Sequence, residues 1–203
     1  MVKKIENKKD EILESWKEVN FLSCLKNEAS SNKLKIPQSD FLDKGNYPII
    51  DQGEIFIAGY TNDKSKVYSG RLPVIVFGDH TRILKFVNFP FAIGADGVKI
   101  LVPIDNINVK YFYYALKRSN IPSAGYSRHY KFLKGLIIPV PPLDVQKKIV
   151  SILEKAETLK QQREQADKFT EDYLKSVFYE MFLKDNFKFI TIKQGVLEIE
   201  NKN

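Results

Sequence analysis

The 203-residue chain contains very little cysteine and histidine and no long apolar run. The single cysteine, Cys24, excludes a disulfide framework and a cysteine-based zinc site. The longest apolar stretches, such as 136–140, are far shorter than the ~20 residues that a membrane-spanning helix needs. No hydrophobic stretch follows Met1, which predicts that there is no secretory signal. We therefore expect a soluble, cytoplasmic protein that does not contact a membrane.

Motifs of enzymatic chemistry are also missing. There is no G-x-G-x-x-G or G-x-x-x-x-G-K phosphate loop, no G-x-S-x-G elbow, and no H-E-x-x-H motif around the only histidines, His80 and His129. The Pro-Pro pair at 141–142 lacks the neighbours found in nucleobase methyltransferase motifs. A metal-dependent nuclease needs clustered carboxylates. Four candidates lie beside glycines or in predicted turns, where a structural role is favoured: Asp51, Glu54, Asp79 and Asp96. We predict no catalytic residue, no metal site and no cofactor.

Positive charge is concentrated in one part of the chain. The net charge is +7, and residues 1–143 account for all of it, with 21 Lys/Arg minus 14 Asp/Glu. Between Asp105 and Asp144 there are six basic residues, seven aromatic residues and no acidic residue. Bases interleaved with aromatics are typical of nucleic-acid binding. A basic solvated face over ordinary core aromatics explains the same composition equally well at this point.

The pattern of apolar runs and turn formers predicts a mixed, β-rich globule over residues 16–142, after a leader at 1–15. Short apolar runs predict strands at 48–50, 55–58, 73–77 and 98–102, and another at 136–142 that prolines close. Asn108 is a suitable N-cap for a helix that reaches Arg118. Together these elements predict an α/β (α+β) fold.

Residues 143–184 predict one long helix of the coiled-coil type, followed by a tail at 185–203. Asp144 is the expected N-cap, and no glycine or proline interrupts the helix, which is about 60 Å long at 1.5 Å per residue. Its narrow, roughly heptad apolar stripe predicts a partner helix, although the helix could instead lie across its own domain. The residues predicted to form the dimerisation stripe are Ile149, Ile152, Ala156, Leu159, Ala166 and Tyr173.

The segment 135–153 carries a specific motif. It reads GLIIPVPPLDVQKKIVSIL and satisfies the pattern I-P-x-P-P-L-x-x-Q-x-x-I-x-x-x-L. It closely resembles the junction between target-recognition domain and long helix in type I restriction-modification specificity subunits. Segments 47–53, 59–61, 73–79 and 113–116 resemble other parts of that recognition domain, in the expected order, so the resemblance covers about 16–183.

The resemblance implies a non-catalytic subunit that reads double-stranded DNA. It also implies two kinds of partner, a methyltransferase subunit and a restriction-translocase subunit, which supply the chemistry of S-adenosylmethionine, ATP and Mg²⁺. Full-length members have two recognition domains and two antiparallel helices, whereas this chain has one of each, so we predict a homodimer that reads a bipartite target. Three alternatives stay open: a structural coiled-coil protein, an inactive truncated recombination cassette, and a nuclease with an unrecognised metal site.

Three loops are the predicted DNA-reading segments: 60–66, 78–85 and 125–131. They combine flexible turns with side chains that can reach base edges or phosphates. The predicted DNA-binding residues are Tyr60, Thr61, Asn62, Lys64, His80, Thr81, Arg82, Tyr126, Ser127, Arg128, His129 and Lys131.

Overall fold

The computed structural model describes residues 16–26, 35–94, 97–123, 125 and 127–182. It divides the chain into a first unit that ends at Ile152 and a second that begins at Leu153. The predicted leader, the predicted tail and Tyr126 lie outside the described residues.

The first unit contains nine strands among its described residues, together with two short helices and the start of a third. The strands are β1 (Lys17–Asn20), β2 (Lys35–Ile36), β3 (Tyr47–Ile50), β4 (Gly59–Thr61), β5 (Val74–Gly78), β6 (Leu84–Val87), β7 (Ala92–Gly94), β8 (Val98–Leu101) and β9 (Ile137–Val140). The helices are α1 (Val109–Arg118), α2 (Tyr130–Leu133) and α3 (Leu143–Phe182).

The strands form three small sheets. In the four-stranded sheet the order is β2-β7-β3-β4, with β2 and β3 parallel to β7 and β4 antiparallel to β3. The second sheet is antiparallel with the order β6-β5-β8, and β1 pairs with β9. A mixed, β-rich α+β fold followed by a long helix is therefore confirmed.

Strand β5 lies between two apolar clusters, which explains why all five of its residues are buried. Ile75 and Phe77 face the cluster that includes Phe112 of α1, whereas Val74 and Val76 face a second cluster. Side chains of a strand alternate between the two faces, so a continuous apolar run is what a strand covered on both sides requires.

Most of the predicted elements are confirmed, and two details are wrong. The runs 48–50, 73–77 and 98–102 coincide with strands, and the Asn108 side chain caps α1 by accepting from the N–H groups of Lys110 and Tyr111, at 3.0 Å each. Residues 55–58 form no strand, because the carbonyls of 55 and 56 accept from a buried lysine instead of a neighbouring strand. Asp144 is not the N-cap: helix α3 already begins at Leu143, which places Asp144 in its first turn.

The buried side chain of Gln146 holds the start of α3 in place. Its Oε1 accepts from the N–H of Asn108 at 2.7 Å, and its Nε2 donates to the carbonyls of Pro141 (2.8 Å) and Asn106 (3.1 Å). The glutamine of the junction motif thus satisfies three backbone groups, of which the carbonyl of Pro141 is buried.

The second unit, as far as Phe182, is the remainder of α3. Of the residues predicted for the dimerisation stripe, Ile149 and Ile152 belong to the first unit, and Ile149 is half-buried against its core. The other five are exposed: Ile152, Ala156, Leu159, Ala166 and Tyr173. In the described part of the chain, no helix is both long and apolar enough to cross a membrane.

Candidate nucleic-acid interface

The candidate site is centred on the turn between β5 and β6. Arg82 N–H donates to the carbonyl of Gly78 at 2.8 Å, and Gly78 N–H donates to the carbonyl of Ile83 at 2.9 Å, which closes the turn. A Cβ at Gly78 would collide with Thr81 and Gln52, so only glycine fits where the buried strand leaves the core. The sequence DHTR of the turn therefore emerges from the end of a buried strand.

Arg82 adopts an unusual backbone conformation in this turn. Its φ of 65° lies in the left-handed region, which costs a residue with a side chain roughly 1 kcal/mol or more. Its Nη1 donates to the carbonyl of Ile121 at 3.0 Å, across the gap between the turn and the segment after α1. The exposed guanidinium is thus held in place and keeps further donors for a ligand.

Gln52, which follows β3, supports the turn from the other side. Its carbonyl accepts from the hydroxyl of Thr81 at 2.6 Å, and its Oε1 accepts from the N–H of His80 at 3.2 Å. Of the predicted residues in this turn, Thr81 and Arg82 are exposed and His80 is half-buried. The structure therefore places these three residues side by side on a braced turn.

Buried Asp79 joins the turn to the loop that precedes α2. Its Oδ1 accepts from the N–H of Tyr130 at 2.7 Å, and its carbonyl accepts from the N–H of His129, also at 2.7 Å. Burial, with a smaller contribution from the Asp79 charge, raises the pKa of Tyr130. The predicted loops 78–85 and 125–131 are therefore held together by the carboxylate and the backbone carbonyl of one residue, Asp79.

The predicted residues of the second loop differ in how they are placed. His129 is 1% exposed and its Nδ1 lies 3.0 Å from the carbonyl of Asp79, which favours a structural role over a DNA contact. The Ser127 hydroxyl oxygen is buried and has no hydrogen-bond partner among the described residues. Arg128 and Lys131 are exposed, so they are the residues of this loop that can reach a ligand.

The third predicted loop, 60–66, lies away from the turn between β5 and β6. Thr61 pairs with Tyr47 at the start of β3, whereas Gln52 follows its end, so the length of β3, about 10 Å, separates the two regions. The side chains of Thr61 and Asn62 are engaged within the loop region: Thr61 Oγ1 accepts from Asp63 N–H at 3.1 Å and Asn62 Oδ1 from Asn46 N–H at 3.0 Å.

Asp63 holds the same loop through hydrogen bonds from Ser65, and two of the predicted residues remain available for contacts. Hydrogen bonds from the Ser65 hydroxyl and backbone hold the pKa of Asp63 below its usual value. Of the residues predicted to bind DNA in this loop, Lys64 is exposed and Tyr60 is half-buried, and neither side chain makes a hydrogen bond to the described residues.

Sequence reasoning missed a groove beside the turn. A cavity of about 400 Å³ separates the turn from α1 and the segment after it. It is lined by Thr81, Arg82, Leu84, Tyr113, Leu116, Lys117, Ser119, Asn120 and Ile121. The acid-free composition of 106–143 was the signal available for it, but composition could not say which bases face the same way as Arg82.

One stripe of α1 runs along this groove. Lys110, Tyr113 and Lys117 follow each other at helical spacing, so they share a face. Lys110 Nζ lies 5.0 Å from the centre of the Phe86 ring, and Lys117 Nζ lies 5.7 Å from that of Tyr113. Phe86 and Tyr113 contact each other edge to face at 6.1 Å. Aromatic rings thus lie against two ammonium groups beside the groove, and both groups add positive charge to this face.

A second basic cluster surrounds Tyr130. The ammonium groups of Lys99 and Lys134 each lie 5.7 Å from the centre of its ring, and Lys131 Nζ lies 5.0 Å from that of Phe132. Three like charges around two rings repel each other, and phosphate groups of a nucleic acid would relieve that repulsion.

Groups suited to metal binding are not found in the described ranges. No set of three or more His, Cys, Asp or Glu side chains there could hold a metal ion. Cys24 is buried, and burial raises the pKa of its thiol to about 11, so it is not a reactive thiolate.

Comparison with known proteins gives a consistent result. The family model of the type I restriction modification DNA specificity domain matches residues 22–167. The specificity subunit of the type I restriction enzyme EcoR124I/EcoR124II from Escherichia coli is 31% identical over 138 residues, which is 61% of this chain and 34% of that subunit.

Solved structures have a similar fold. The HsdS subunit from Thermoanaerobacter tengcongensis superimposes with a TM-score of 0.52 at 21% identity, over 80% of this chain and 42% of that one. The S subunit of a type I restriction-modification system from M. genitalium gives 0.51 at 18% identity, over 90% and 48%. A chain from a structure of an assembled type I R-M system gives 0.58 at 20% identity, over 80% and 43%. This chain therefore spans a third to a half of the length of these relatives.

Proposed function

The chain belongs to the type I restriction modification DNA specificity family, and we propose that it recognises a double-stranded DNA sequence and catalyses no reaction itself. One observation carries this proposal: the acid-free segment 106–143 places its lysines on both sides of a turn whose arginine is held in a left-handed conformation. Fixed donors beside concentrated positive charge are what base readout on a phosphate backbone requires.

In this proposal the exposed groups divide into two roles. Thr81, Arg82 and Arg128 contact base edges, because they project from braced loops. The lysines neutralise phosphates, since they lie in the acid-free segment 106–143. They are Lys110, Lys117, Lys131 and Lys134, with Lys64 and Tyr60 as a separate contact at the far end of β3.

We further propose that the chain acts with two partner subunits in the cytoplasm. A methyltransferase subunit and a restriction-translocase subunit would supply the chemistry of S-adenosylmethionine, ATP and Mg²⁺, and this chain would hold no cofactor. The three hydrogen bonds of the buried Gln146 side chain fix the first turn of α3 within the first unit.

A homodimer completes the proposal. Leu159 and Tyr173 are 65% and 67% exposed, although both are apolar enough to be buried. Pairing two α3 helices antiparallel would cover this stripe and supply the second recognition domain. A twofold dimer reads an interrupted palindrome, and a helix of about 60 Å limits the spacing of its halves to under about 18 bp.

DNA recognition is tested with the full chain and its methyltransferase subunit. Once the methylated sequence in the host genome is known, fluorescence anisotropy should give at least ~10³-fold tighter binding to that duplex than to a scrambled one. The free chain incubated with Mg²⁺ should leave DNA uncut. Equal affinity for both duplexes would contradict the proposal.

The dimer is tested with a charge placed on the stripe. Leu159→Glu should give a monomer in light scattering and abolish tight specific binding, because a carboxylate cannot be buried between the helices. The matched control is Gln161→Glu, which adds the same charge about 200° around the helix and should remain dimeric. A wild-type chain that is monomeric even with its methyltransferase subunit, or a target that is not palindromic, would rule the dimer out.

A further inference from the structure

Lys99 lies outside the acid-free segment 106–143, yet the fold brings its side chain to that segment. Lys99 on β8 is paired with Phe77 on β5, so their side chains lie on the same face of the sheet. Phe77 belongs to the apolar cluster against which Tyr130 packs. The Lys99 ammonium accordingly lies 5.7 Å from the centre of the Tyr130 ring.

A second lysine reaches the same ring from the end of α2. The ammonium of Lys134 also lies 5.7 Å from the centre of the Tyr130 ring. Lys134 is exposed and Lys99 is half-buried, so solvent reaches both side chains. Two positive charges from different elements thus converge on one aromatic ring, which attracts each of them.

The charge around this ring is predominantly positive. Lys131 adds a third ammonium group, and the acid in contact with Tyr130 is the buried Asp79, whose Oδ1 accepts from the Tyr130 N–H at 2.7 Å. Among the described residues, no carboxylate forms an ion pair with Lys99, Lys131 or Lys134. Three lysines against one aspartate leave an excess of positive charge, which favours an anionic ligand.

Hydrogen bonds join this cluster to the turn that carries Arg82. Asp79, which binds the Tyr130 N–H, lies in that turn. The N–H of Asp79 donates to the carbonyl of Gly97 at 2.6 Å, two residues before Lys99. The turn is therefore bonded both to the strand of Lys99 and to the helix of Tyr130, which places the cluster directly beside it.

We propose that Lys99 and Lys134 bind one phosphate group of the DNA target between them, beside the bases that Arg82 reads. This inference rests on the proposed function and names one backbone contact of that surface. Phosphate contacts fix the register of a protein on a duplex and carry no sequence information themselves. The two lysines would thus set the position from which Arg82 reaches its bases.

The positive charge alone would also suit an acidic surface of a partner protein. DNA is favoured because the cluster is bonded to the turn through Asp79 and Gly97, so a duplex that Arg82 reads passes next to both lysines. An ammonium group carries three donors and a full charge, which suits the oxygens of a phosphate.

The test removes the charge of one phosphate at a time. In the full chain bound to its methyltransferase subunit, methylphosphonate replaces single phosphates along one half of the target duplex. At one position it should weaken wild-type binding about 10-fold, the effect of two ion pairs that are each worth about 3-fold. In Lys99→Met the loss at that position should fall to about 3-fold, and Lys134→Met should give the same value at the same position.

The variants should also lose affinity without losing sequence preference. Lys99→Met should weaken binding to the specific and the scrambled duplex alike, by about 3-fold for each recognition domain, because a phosphate contact is the same in both. Lys99→Arg keeps the charge and should keep the full methylphosphonate effect. Lys99→Gln replaces Lys99→Met if circular dichroism shows that the methionine variant is unfolded.

The matched control is Lys26→Met, beyond the end of β8 that is farther from the turn. Lys26 is ion-paired with Asp105 at 2.7 Å, and its variant should bind like the wild type and keep the 10-fold effect. The proposal is wrong if Lys99→Met keeps the full effect at every position, or if the two variants lose it at different positions. Loss of methyltransferase binding in Lys99→Met would assign the cluster to that protein instead. A wild-type complex with equal affinity for both duplexes would contradict the proposed function, which is a separate result.

Discussion

Replacing Arg82 separates its backbone role from its role in DNA binding. At φ 65°, glycine relieves roughly 1 kcal/mol of strain that alanine keeps. Both variants lose the 3.0 Å, part-buried hydrogen bond to Ile121, which is worth about 1 kcal/mol. Glycine also costs about 0.5 kcal/mol of additional chain entropy. Arg82→Gly should therefore be more stable than Arg82→Ala by about 0.5 kcal/mol.

This order is the reverse of the usual one, because alanine normally stabilises a chain more than glycine does. Thermal unfolding followed by circular dichroism should place the glycine variant about 1–2 °C above the alanine variant, at the 2–4 °C per kcal/mol expected for this chain length. Both variants should lose the same ~1–3 kcal/mol of discrimination between correct and incorrect bases, at one or two base pairs of the target.

The control is Arg71→Ala, which removes the same charge at the opposite end of β5. Arg71 Nη1 donates to Asp105 at 3.0 Å, so this variant also loses one exposed ion pair. It should bind the target like the wild type. The reasoning is refuted if Arg82→Gly is less stable than Arg82→Ala, and Arg82 is no DNA contact if both variants keep full sequence preference.

Three further predictions concern the junction, the phosphates and pH. Gln146→Ala should destabilise the chain by about 1–3 kcal/mol in urea unfolding, because it leaves the buried carbonyl of Pro141 unpaired and removes two part-buried hydrogen bonds, whereas exposed Gln161→Ala should have little effect. Lys131→Ala with Lys134→Ala should flatten the log–log salt dependence of DNA affinity by about one to two units, and an unchanged slope would show that both lysines are merely solvated. Burial raises the pKa of Tyr111 to about 12, so stability should fall between pH 10 and 12 by up to ~1.4 kcal/mol per unit, and Tyr111→Phe should fall less steeply.

Apolar runs and cap residues predicted the strands and helices correctly where the tertiary packing agreed with them. The run at 73–77 became the central strand β5 because both of its faces meet apolar clusters, and Asn108 caps α1 as its position suggests. The prediction of a strand at 55–58 was wrong. An apolar run can also form a loop when a distant side chain donates to its carbonyls in place of a neighbouring strand, as Lys85 does here.

The candidate site was harder to predict, because its geometry depends on contacts between residues far apart in the chain. Arg82 reaches Ile121, 39 residues away, and Asp79 reaches Tyr130, 51 residues away. Loop composition could identify the turn and the basic segment. It could not show that His129 faces inward while Arg128 beside it faces solvent.

The groups that hold the proposed reading surface overlap only in part with the groups that would touch DNA. Thr81 and Arg82 belong to both sets, because each also braces the turn. Asp79, Gln52 and Lys85 hold the loops mainly through backbone carbonyls and N–H groups. Exposed residues such as Arg128 and Lys131 make no hydrogen bond to the described core that a substitution would break. Changes at those positions should alter the target with little loss of stability, since surface substitutions are usually worth within ~0.5 kcal/mol. Changes at Asp79 should lower stability and specificity together, because both loops lose their common anchor.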